Sequence, residues 1–258
     1  MGAKLLLIGI DAATWKIIEP NLEELPNFRK LMKEGNYKTL KLDQKPWSAS
    51  CWTSMFSGKT TEEHNHRDFV ENDEIVERED IEVDFIWDKM DRESYKVKVL
   101  NAPFVVPTFS YNVEFMPPAN GIPTEFKEMD EEIEAVTQKS LQILEEEIDL
   151  FITCYVSLDK LQHHHWGEEV VINYYKKMDR ALGKLMDHGD KLIVISDHGF
   201  CDFGEAEVQT LPEETPKGKL KGDHDKEAVL MTRNIDFDIE NLRDVYYAII
   251  EELELRIK

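Results

Sequence analysis

The sequence predicts an α/β fold in which a mostly parallel central sheet is flanked by helices on both faces. Apolar, β-branched runs over residues 4–10, 148–156 and 191–196 are typical of parallel strands that are buried on both sides. Amphipathic helical stretches separate these runs, as in chains whose crossover connections build a parallel sheet. Neither an internal repeat nor a linker interrupts the pattern, so a single domain over residues 1–258 is expected.

The other elements follow from periodicity and from glycine or proline stop signals. In chain order they are a helix over 22–34, a strand over 37–42, a helix over 51–56, a short helix over 85–90, a strand over 95–101, an acidic helix over 124–147, a helix over 170–188 ending at Gly189, a strand over 227–231 and a closing helix over 239–256. Three long connections, residues 59–84, 102–123 and 201–222, are predicted to be irregular. The second combines prolines with aromatic residues and is predicted to form a lid or pocket wall.

The composition excludes several classes of partner. With 53 acidic and 31 basic residues, the formal charge of −22 disfavours docking on a nucleic-acid polymer or an anionic membrane. The acidic runs at 71–84 and 130–147 are interpreted as solvated faces. Three cysteines without CxxC spacing are typical of a reducing compartment. The N-terminal apolar run is too short for a signal peptide, and no run reaches the roughly 18–20 residues that span a bilayer. A cytoplasmic protein is expected.

Three of the predicted elements lead into an aspartate. Asp11 and Asp197 directly follow the first and third apolar runs, and Asp159 lies three residues beyond the second. Because the carboxyl ends of parallel strands meet at one edge of a sheet, these carboxylates are expected to converge there. A strand that ends in an ordinary polar turn is the alternative interpretation for each aspartate alone.

Histidines accompany the aspartates. His163 lies four residues after Asp159, which would put both side chains on one face of a helix. His198 directly follows Asp197, and His224 lies in a glycine-flanked loop before the strand at 227–231. Oxygen and nitrogen donors of this kind suit Zn²⁺ or Mn²⁺, so the sequence predicts a metal site.

Ser48, in the segment PWSASCWTSMFSG, precedes a predicted helix start. It has two interpretations, an N-cap or a nucleophile activated by a metal beside a helix N-terminus. Ser50 is a second candidate for the nucleophile. Charge favours two metals, since two divalent cations would balance the three aspartates and a Ser48 alkoxide, whereas the empty site would crowd like charges together.

Six sequence segments extend this picture over nearly the whole chain: IGIDAATW with LPNFRKLMKEG, PWSASCWTSMFSGKTTEEHNHRDF, IWDKMDRESYKVKVLNAPFVVP, SLDKLQHHHWG with YYKKMDRALGKLM, VISDHGF, and GDHDKEAVLMT. In this order they resemble the alkaline phosphatase superfamily, and within it the compact type I phosphodiesterase/nucleotide pyrophosphatase branch. The resemblance implies a three-layer alkaline phosphatase-like sandwich without a large inserted domain.

The resemblance also implies a mechanism. One metal would be held by Asp159, His163 and His224, and the other by Asp11, Asp197 and His198, with Ser48 as the nucleophile. Zn²⁺ is the expected ion and Mn²⁺ the alternative. A small phosphorylated substrate would be cleaved at a phosphodiester or pyrophosphate bond in two in-line displacements through a phosphoseryl intermediate.

Some positions depart from the family pattern. Cys51 stands where nucleotide pyrophosphatases carry an Asn that helps to hold a phosphate oxygen, and His64-Asn65 replaces the family His-Gly. SASCW lacks the sulfatase pattern C/S-x-P-x-R, and no segment is long enough for the inserted domain of the mutase branches. A phosphomonoesterase on the same site and a metal-binding protein without turnover remain as alternatives. A set of aromatic residues could line a base-stacking pocket or belong to the core: Trp47, Trp52, Phe104, Phe109, Tyr111 and Trp166.

Overall fold

The computed structural model describes residues 2–215 and 218–257. Its strands are β1 (Gly2–Ile10), β2 (Asn36–Lys41), β3 (Val70–Glu71), β4 (Glu74–Ile75), β5 (Val97–Ala102), β6 (Phe109–Tyr111), β7 (Glu147–Tyr155), β8 (Gly189–Ile195), β9 (Gly199–Asp202), β10 (Glu214–Thr215), β11 (Gly218–Lys219), β12 (Gly222–Asp225) and β13 (Glu227–Arg233). Its α-helices are α1 (Trp15–Ile18), α2 (Pro26–Glu34), α3 (Ser48–Ser57), α4 (Thr61–His64), α5 (Ile86–Arg92), α6 (Phe126–Ile143), α7 (Ser157–His165), α8 (Glu169–Leu185) and α9 (Asp244–Glu252).

Seven strands form the central sheet in the order β2-β13-β8-β1-β7-β5-β6. Its centre is parallel: β1 pairs with β7 and β8, and β5 pairs with β7. The pairings at both sides are antiparallel: β13 pairs in this way with β8 and β2, and β6 with β5, so β13 and β6 run opposite to the other five strands. The predicted mostly parallel sheet is therefore confirmed.

Alternate residues of β1 face opposite layers, because successive side chains of a strand point to opposite faces. Leu6 and Ile8 belong to one apolar cluster, which also includes buried residues of α2, α6 and α8. Leu5 and Leu7 belong to a second cluster with buried residues of α3, α5 and α9. Helices therefore cover both faces, and the predicted three-layer arrangement is confirmed.

The helix ends differ from the prediction for local reasons. The predicted helix over 22–34 begins at Pro26, where proline at the first helical position sacrifices no hydrogen bond, and α1 was not predicted. The closing helix begins only at Asp244, whose carboxylate accepts from the backbone N–H groups of Glu240 and Asn241 and so stabilises a turn there. Gly189 is the C-cap of a 3₁₀ turn over Met186–His188 that follows α8, as predicted, and with an extended φ of −113° it is also the first residue of β8.

The predicted irregular connections contain short elements. Residues 59–84 include α4 and the β3–β4 hairpin, residues 102–123 include β6, and residues 201–222 include parts of two antiparallel ribbons. Positions 216 and 217 of the last connection lie outside the described residues. The ribbon formed by β9 and β12 matters most here, because it pairs His224 with Phe200 and brings it beside the end of β8.

Gly222 permits the close approach of β12 to β9. A Cβ atom at this position would lie 2.3 Å from the Phe200 ring, which is too short for any non-bonded contact. The glycine that flanks His224 in the sequence therefore has a steric function in positioning that histidine.

Candidate metal centre

The carboxyl ends of the central strands lie side by side. Gly9 of β1 pairs with Cys154 of β7 and with Ile195 of β8, so the chain leaves all three strands at one level. The residues that follow, including Asp11 and Asp197, therefore lie at the same edge of the sheet. β13 runs antiparallel to β8, so its amino end, with His224 just before it, reaches this edge as well.

The structure brings all seven predicted site residues together. We call this cluster the candidate metal centre, and each of its side chains belongs to a residue that is at most 8% exposed. Its members are Asp11, Ser48, Asp159, His163, Asp197, His198 and His224.

The first predicted ligand set is Asp159, His163 and His224. The Nε2 atoms of the two histidines lie 3.1 Å apart, and each lies 3.1 Å from Oδ1 of Asp159. In a tetrahedral zinc site with bonds of 2.0–2.1 Å, neighbouring ligand atoms are separated by about 3.3 Å. The three donor atoms therefore have the spacing of ligands that share one ion.

All three histidines direct the same ring nitrogen into the centre. Nδ1 of His224 donates to the Pro46 carbonyl at 2.7 Å, and Nδ1 of His198 donates to the Gly199 carbonyl at 2.9 Å. Nδ1 of His163 lies 3.4 Å from the Gly222 carbonyl. Because a proton on Nδ1 leaves Nε2 of a neutral ring with a free lone pair, these backbone contacts select the tautomer that binds a metal.

The second ligand set is Asp11, Asp197 and His198, with Ser48 beside it. Nε2 of His198 lies 3.3 Å from Oδ2 of Asp197, 3.7 Å from Oδ1 of Asp11 and 3.1 Å from Oγ of Ser48. The other oxygen of Asp197 accepts a hydrogen bond from the Ala12 N–H at 3.3 Å. Donor atoms of both aspartates and of His198 lie within 4.8 Å of one another.

Two carboxylate oxygens of this set need a partner. Oδ1 of Asp11 and Oδ2 of Asp197 are buried and accept no hydrogen bond from the described residues. Buried polar atoms are normally satisfied, so these oxygens would either share a proton between Asp11 and Asp197 or bind a further group. A divalent cation fits this requirement, because it binds carboxylate oxygens and removes their repulsion.

The pKa values of the aspartates reflect the same crowding. Burial and the negative charges of Asp197 and Asp159 raise the pKa of Asp11 well above its usual range. Burial and the charge of Asp159 raise the pKa of Asp197 to about 7. Burial and the neighbouring His224 lower the pKa of His198 to about 4, which keeps its ring neutral, as a metal ligand must be.

The two ligand sets adjoin each other. The rings of His198 and His224 stack with their centroids 3.9 Å apart and their planes inclined by 22°. Donor atoms of Asp159, His198 and His224 also lie within 4.8 Å of one another. The donor atoms of the two sets therefore lie in adjacent positions.

Ser48 is the first residue of α3, and Trp47 occupies the N-cap position. The interpretation of Ser48 as an N-cap is therefore wrong, and its hydroxyl donates instead to Nε2 of His198. The Ser50 hydroxyl lies 2.8 Å from the Thr61 hydroxyl, in a different polar cluster. Of the two candidate nucleophiles, Ser48 is the one that reaches the ligands.

Asp159 lies in the first turn of α7, whose N-terminus is stabilised by a residue of another helix. Oε1 of Glu132, on α6, accepts from the Val156 N–H at 3.1 Å and from Nδ2 of Asn101 at 3.0 Å. Oε2 accepts from the Ser157 hydroxyl at 2.6 Å. Glu132 is fully buried, so the interpretation of residues 130–147 as a solvated face is wrong at this position.

The opposite side of α7 is fixed to the end of β1. Gln162 donates to the Ala12 carbonyl at 2.9 Å and accepts from the Tyr175 hydroxyl at 3.1 Å. Ala12 has a φ of +59°, a conformation that is strained for a residue with a side chain. Gln162 thus links the helix that carries Asp159 to the residue that follows Asp11.

The sequence analysis also missed Lys160. Its Nζ atom lies 2.8 Å from Oδ2 of Asp159, within an otherwise acidic centre. Although burial opposes ionisation of Asp159, the charges of Lys160 and His163 outweigh it and hold the pKa of Asp159 well below the usual range. The sequence signal that could have identified Lys160 is its position between two predicted ligands, Asp159 and His163, of an otherwise acidic cluster.

The positions that depart from the family pattern are packed rather than exposed to the centre. Cys51 is buried, and its Sγ atom lies 3.3 Å from Nε2 of Gln44. His64 is buried and lies 2.9 Å from the Ser54 hydroxyl, as expected for a structural residue. Among the aromatic residues, Trp52 and Phe104 belong to the core cluster rather than to a base-stacking pocket.

Within residues 2–215 and 218–257, no helix is both long and apolar enough to cross a bilayer.

Comparisons with known proteins identify the family of the chain and its fold. A profile of the type I phosphodiesterase/nucleotide pyrophosphatase family matches residues 5–254. A comparison with curated protein sequences gives no match.

Among solved structures, the fold is similar to that of ectonucleotide pyrophosphatase/phosphodiesterase 5. The murine protein is 14% identical with a TM-score of 0.69. An inactive murine variant in complex with AMP is 13% identical with a TM-score of 0.68, and the human protein is 13% identical with a TM-score of 0.64. Each alignment covers 99% of this chain and 96% of the other. At 13–14% identity, the similarity to these structures shows a shared fold and no more. Family membership rests instead on the sequence profile, which matches nearly the whole chain. The chain therefore belongs to the type I phosphodiesterase/nucleotide pyrophosphatase family of hydrolases, as its six sequence segments predict.

Proposed function

We propose that the chain is a two-metal phosphohydrolase that cleaves a phosphodiester or pyrophosphate bond through a phosphoseryl intermediate on Ser48. The main support is the position of three donor atoms, from Asp159, His163 and His224, each of which lies 3.1 Å from the other two. Beside them lies a second set of donor atoms, which includes two carboxylate oxygens that accept no hydrogen bond from the described residues. Family membership supports the same class of reaction.

In this proposal Asp159, His163 and His224 hold one cation, and Asp11, Asp197 and His198 hold the other. Mixed nitrogen and oxygen donors suit Zn²⁺ best, with Mn²⁺ as the alternative. When bound, two divalent cations would stabilise negative charge on the phosphoryl oxygens and lower the pKa of the Ser48 hydroxyl.

The residues of the chain then have separate tasks. The oxygen of Ser48 forms a bond to phosphorus while the bond from phosphorus to the leaving oxygen breaks, and the hydroxyl proton passes through solvent to that leaving oxygen. The ten-residue helix α3 begins at Ser48, so its first backbone N–H groups are free to bind a phosphoryl oxygen. The oxygen of a water molecule next forms a bond to phosphorus while the bond from phosphorus to Ser48 breaks. A proton of that water passes to the serine oxygen and restores its hydroxyl.

The substrate that we propose is a small phosphorylated molecule in the cytoplasm. A formal charge of −22 disfavours a polyanionic polymer as the substrate. The cysteines Cys51, Cys154 and Cys201 are free and buried, which is consistent with a reducing compartment.

The test is hydrolysis of bis-p-nitrophenyl phosphate and p-nitrophenyl phosphate with Zn²⁺ or Mn²⁺. We expect faster cleavage of the diester, and a loss of about 10³-fold or more in Ser48→Ala with metal content retained, measured by plasma mass spectrometry. Ser50→Ala is the matched control, because it removes a hydroxyl from the same helix that does not reach His198.

Faster cleavage of the monoester would replace the proposal with a phosphomonoesterase. Full activity in Ser48→Ala together with loss in Ser50→Ala would reassign the nucleophile. Bound metal without turnover of either ester would support a metal-binding protein.

A further inference from the structure

A cavity of about 240 Å³ adjoins the candidate metal centre. It lies between the β3–β4 hairpin, the segment 103–108 and the turn at Gly121 and Ile122, and its inner end is formed by Asp11 and Lys160. We call it the apolar cavity. An apolar cavity of about 150 Å³ binds a benzene molecule, so this volume suits one ring or an alkyl group of about six carbons.

The lining of the apolar cavity offers few polar side chains. Of the twelve described residues that line it, Asp11, Thr108 and Lys160 are the only ones with polar side chains. The Thr108 hydroxyl already donates to Oδ1 of Asn101. The ribose hydroxyls and base nitrogens of a nucleoside would therefore lose water here without gaining side-chain partners, which disfavours their entry.

The mouth of the apolar cavity exposes apolar side chains to solvent. Val70 is 52% exposed, Ile75 57% and Ile122 41%. They are three of the seven large apolar side chains that are exposed in the described residues, and all three line this one cavity. A hydrocarbon group bound between them would remove this surface from water.

Lys160 supplies the charge at the inner end. Within the described chain, its ammonium group has one hydrogen-bond acceptor, Oδ2 of Asp159 at 2.8 Å, although an ammonium can donate three hydrogen bonds. It lies between the apolar cavity and the ligand set of Asp159. A phosphoryl oxygen bound beside Asp11 can therefore accept from it.

From these contacts we infer that the apolar cavity is the subsite for a hydrocarbon substituent of the phosphoester substrate, and that Lys160 binds an oxygen of its phosphoryl group. The inference rests on the proposed function and narrows its substrate class from nucleotides to phosphodiesters with an alkyl or single-ring aryl substituent. The substituent lies among Val70, Ile75 and Ile122, and the phosphoryl group lies at the metals.

The test is a series of alkyl p-nitrophenyl phosphodiesters with methyl, butyl and hexyl groups, assayed with the metal-loaded protein beside the p-nitrophenyl ester of thymidine 5′-phosphate. Because each buried methylene contributes up to about fourfold, we expect kcat/KM to rise by about tenfold or more from methyl to hexyl. The hexyl ester should also exceed the thymidine ester. A flat series, or preference for the thymidine ester, would overturn the inference.

Two variants separate the cavity from Lys160. Ile75→Glu should abolish most of the hexyl-to-methyl ratio, whereas Met116→Glu, which makes the same change at a 76% exposed position outside the lining, should preserve it. Lys160→Met should lower kcat/KM roughly tenfold or more for every chain length while leaving the ratio intact, with partial rescue in Lys160→Arg. If the hexyl-to-methyl ratio of kcat/KM is the same in Ile75→Glu and Met116→Glu, the assignment of the apolar cavity as the subsite is wrong.

A binding measurement keeps this inference separate from turnover. Calorimetric titration with hexylphosphonate and methylphosphonate needs no cleavage, and we expect about tenfold or more tighter binding of the hexyl compound. Failure of all esters to react, together with tight hexylphosphonate binding, would reject the proposed hydrolysis but keep the subsite. If the methyl ester is cleaved, chain length has no effect on kcat/KM and both phosphonates bind equally well, the proposed hydrolysis is kept and the hydrocarbon subsite is rejected.

Discussion

The carboxylate of Glu132 accepts a hydrogen bond from the hydroxyl of Ser157, with Oε2 and Oγ 2.6 Å apart. This contact joins the middle of α6 to the first residue of α7. Because Asp159 is only two residues farther along α7, the buried glutamate fixes the start of the helix that carries a proposed metal ligand. Glu132 is thus a positioning residue, and it leads to the first prediction.

Replacing Glu132 with Ala should destabilise the fold by about 2–5 kcal/mol, because Asn101 and the Val156 N–H would lose a buried acceptor. Glu132→Gln retains an amide oxygen for these donors and should cost less. Urea denaturation measures both changes. Equal losses in the two variants would show that an acceptor for Asn101 and the Val156 N–H contributes little to stability, which would contradict the prediction.

Glu132 should also make stability depend on pH. Burial raises its pKa from an ordinary 4.5 to about 7, against the opposing hydrogen bonds from Ser157 and Val156. The folded state therefore binds this proton more tightly than the unfolded state, so the contribution is complete below pH 4.5 and is lost as the pH rises through 7. The loss is about 3 kcal/mol. The difference in the free energy of unfolding between wild type and Glu132→Gln should change by this amount between pH 4.5 and 8.5. A difference that is constant over this range would contradict the raised pKa of Glu132.

Metal ions should stabilise the protein more at pH 8 than at pH 5.5. The pKa of Asp11 is raised by burial and by Asp197, and that of Asp197 is raised to about 7 by burial and by Asp159. In the metal-free protein these groups favour folding at low pH and lose that contribution as they ionise, so a cation has more repulsion to relieve at pH 8. At 100 times its Kd a ligand adds about 2.7 kcal/mol, or a rise in Tm of roughly 5–10 °C in a chain of this length.

Calorimetric scans with Zn²⁺ or Mn²⁺ and with EDTA measure this effect. Asp197→Asn should reduce the pH dependence of the metal-free protein, since it removes one of the two raised carboxyl groups. A metal-induced rise in Tm that is larger at pH 5.5 than at pH 8 would argue against carboxylate ligands.

Gln162 should influence metal affinity without contacting a metal. Gln162→Leu would leave the Ala12 carbonyl and the Tyr175 hydroxyl without their partner, at a cost of about 1–3 kcal/mol, and would release the segment that follows Asp11. We therefore expect both lower stability and weaker metal binding in a calorimetric titration. Tyr175→Phe is the comparison variant, because it retains the bond from Gln162 to Ala12 and removes only the acceptor of the Thr14 N–H and the donor to Gln162. Equal metal affinity in the two variants would exclude the positioning role.

The cysteines should be unreactive in the folded protein. Burial raises the pKa of the thiols of Cys51 and Cys154 well above the usual range, and it raises that of Cys201 to about 12. Because the thiolate is the reactive form, a disulfide reagent such as DTNB at pH 8 should titrate no thiol in the native state and three after unfolding. Rapid reaction of one thiol before unfolding would show that its surroundings open.

Much of the candidate centre was predictable because its residues adjoin the strongest patterns in the sequence. An apolar run that is buried on both faces identifies a central strand, and Asp11 and Asp197 directly follow two such runs. The i, i+4 spacing of Asp159 and His163 required only that α7 be a helix. The fold class and the family are confirmed, whereas the role of each site residue stays a prediction.

Other features depend on contacts between distant residues. The direction of β13 is set by its pairing with β8 and β2, and no local pattern near His224 distinguishes a parallel from an antiparallel strand. Glu132 lies in a run of acidic residues whose other members look the same in sequence, and only the packing of α6 against α7 buries it. Lys160 resembles any helical lysine until its neighbour Asp159 is seen to be buried.

The order in which the ligands occur along the chain constrains when the protein can acquire its metals. Asp11 precedes His224, which closes the proposed first ligand set, by more than 200 residues, so it is synthesised well before that histidine. The β9–β12 ribbon that holds this histidine cannot form before then. The proposed first ligand set is therefore complete only after residue 224 has been synthesised, and a chain released by the ribosome before that point would lack it even if most of its sheet had formed.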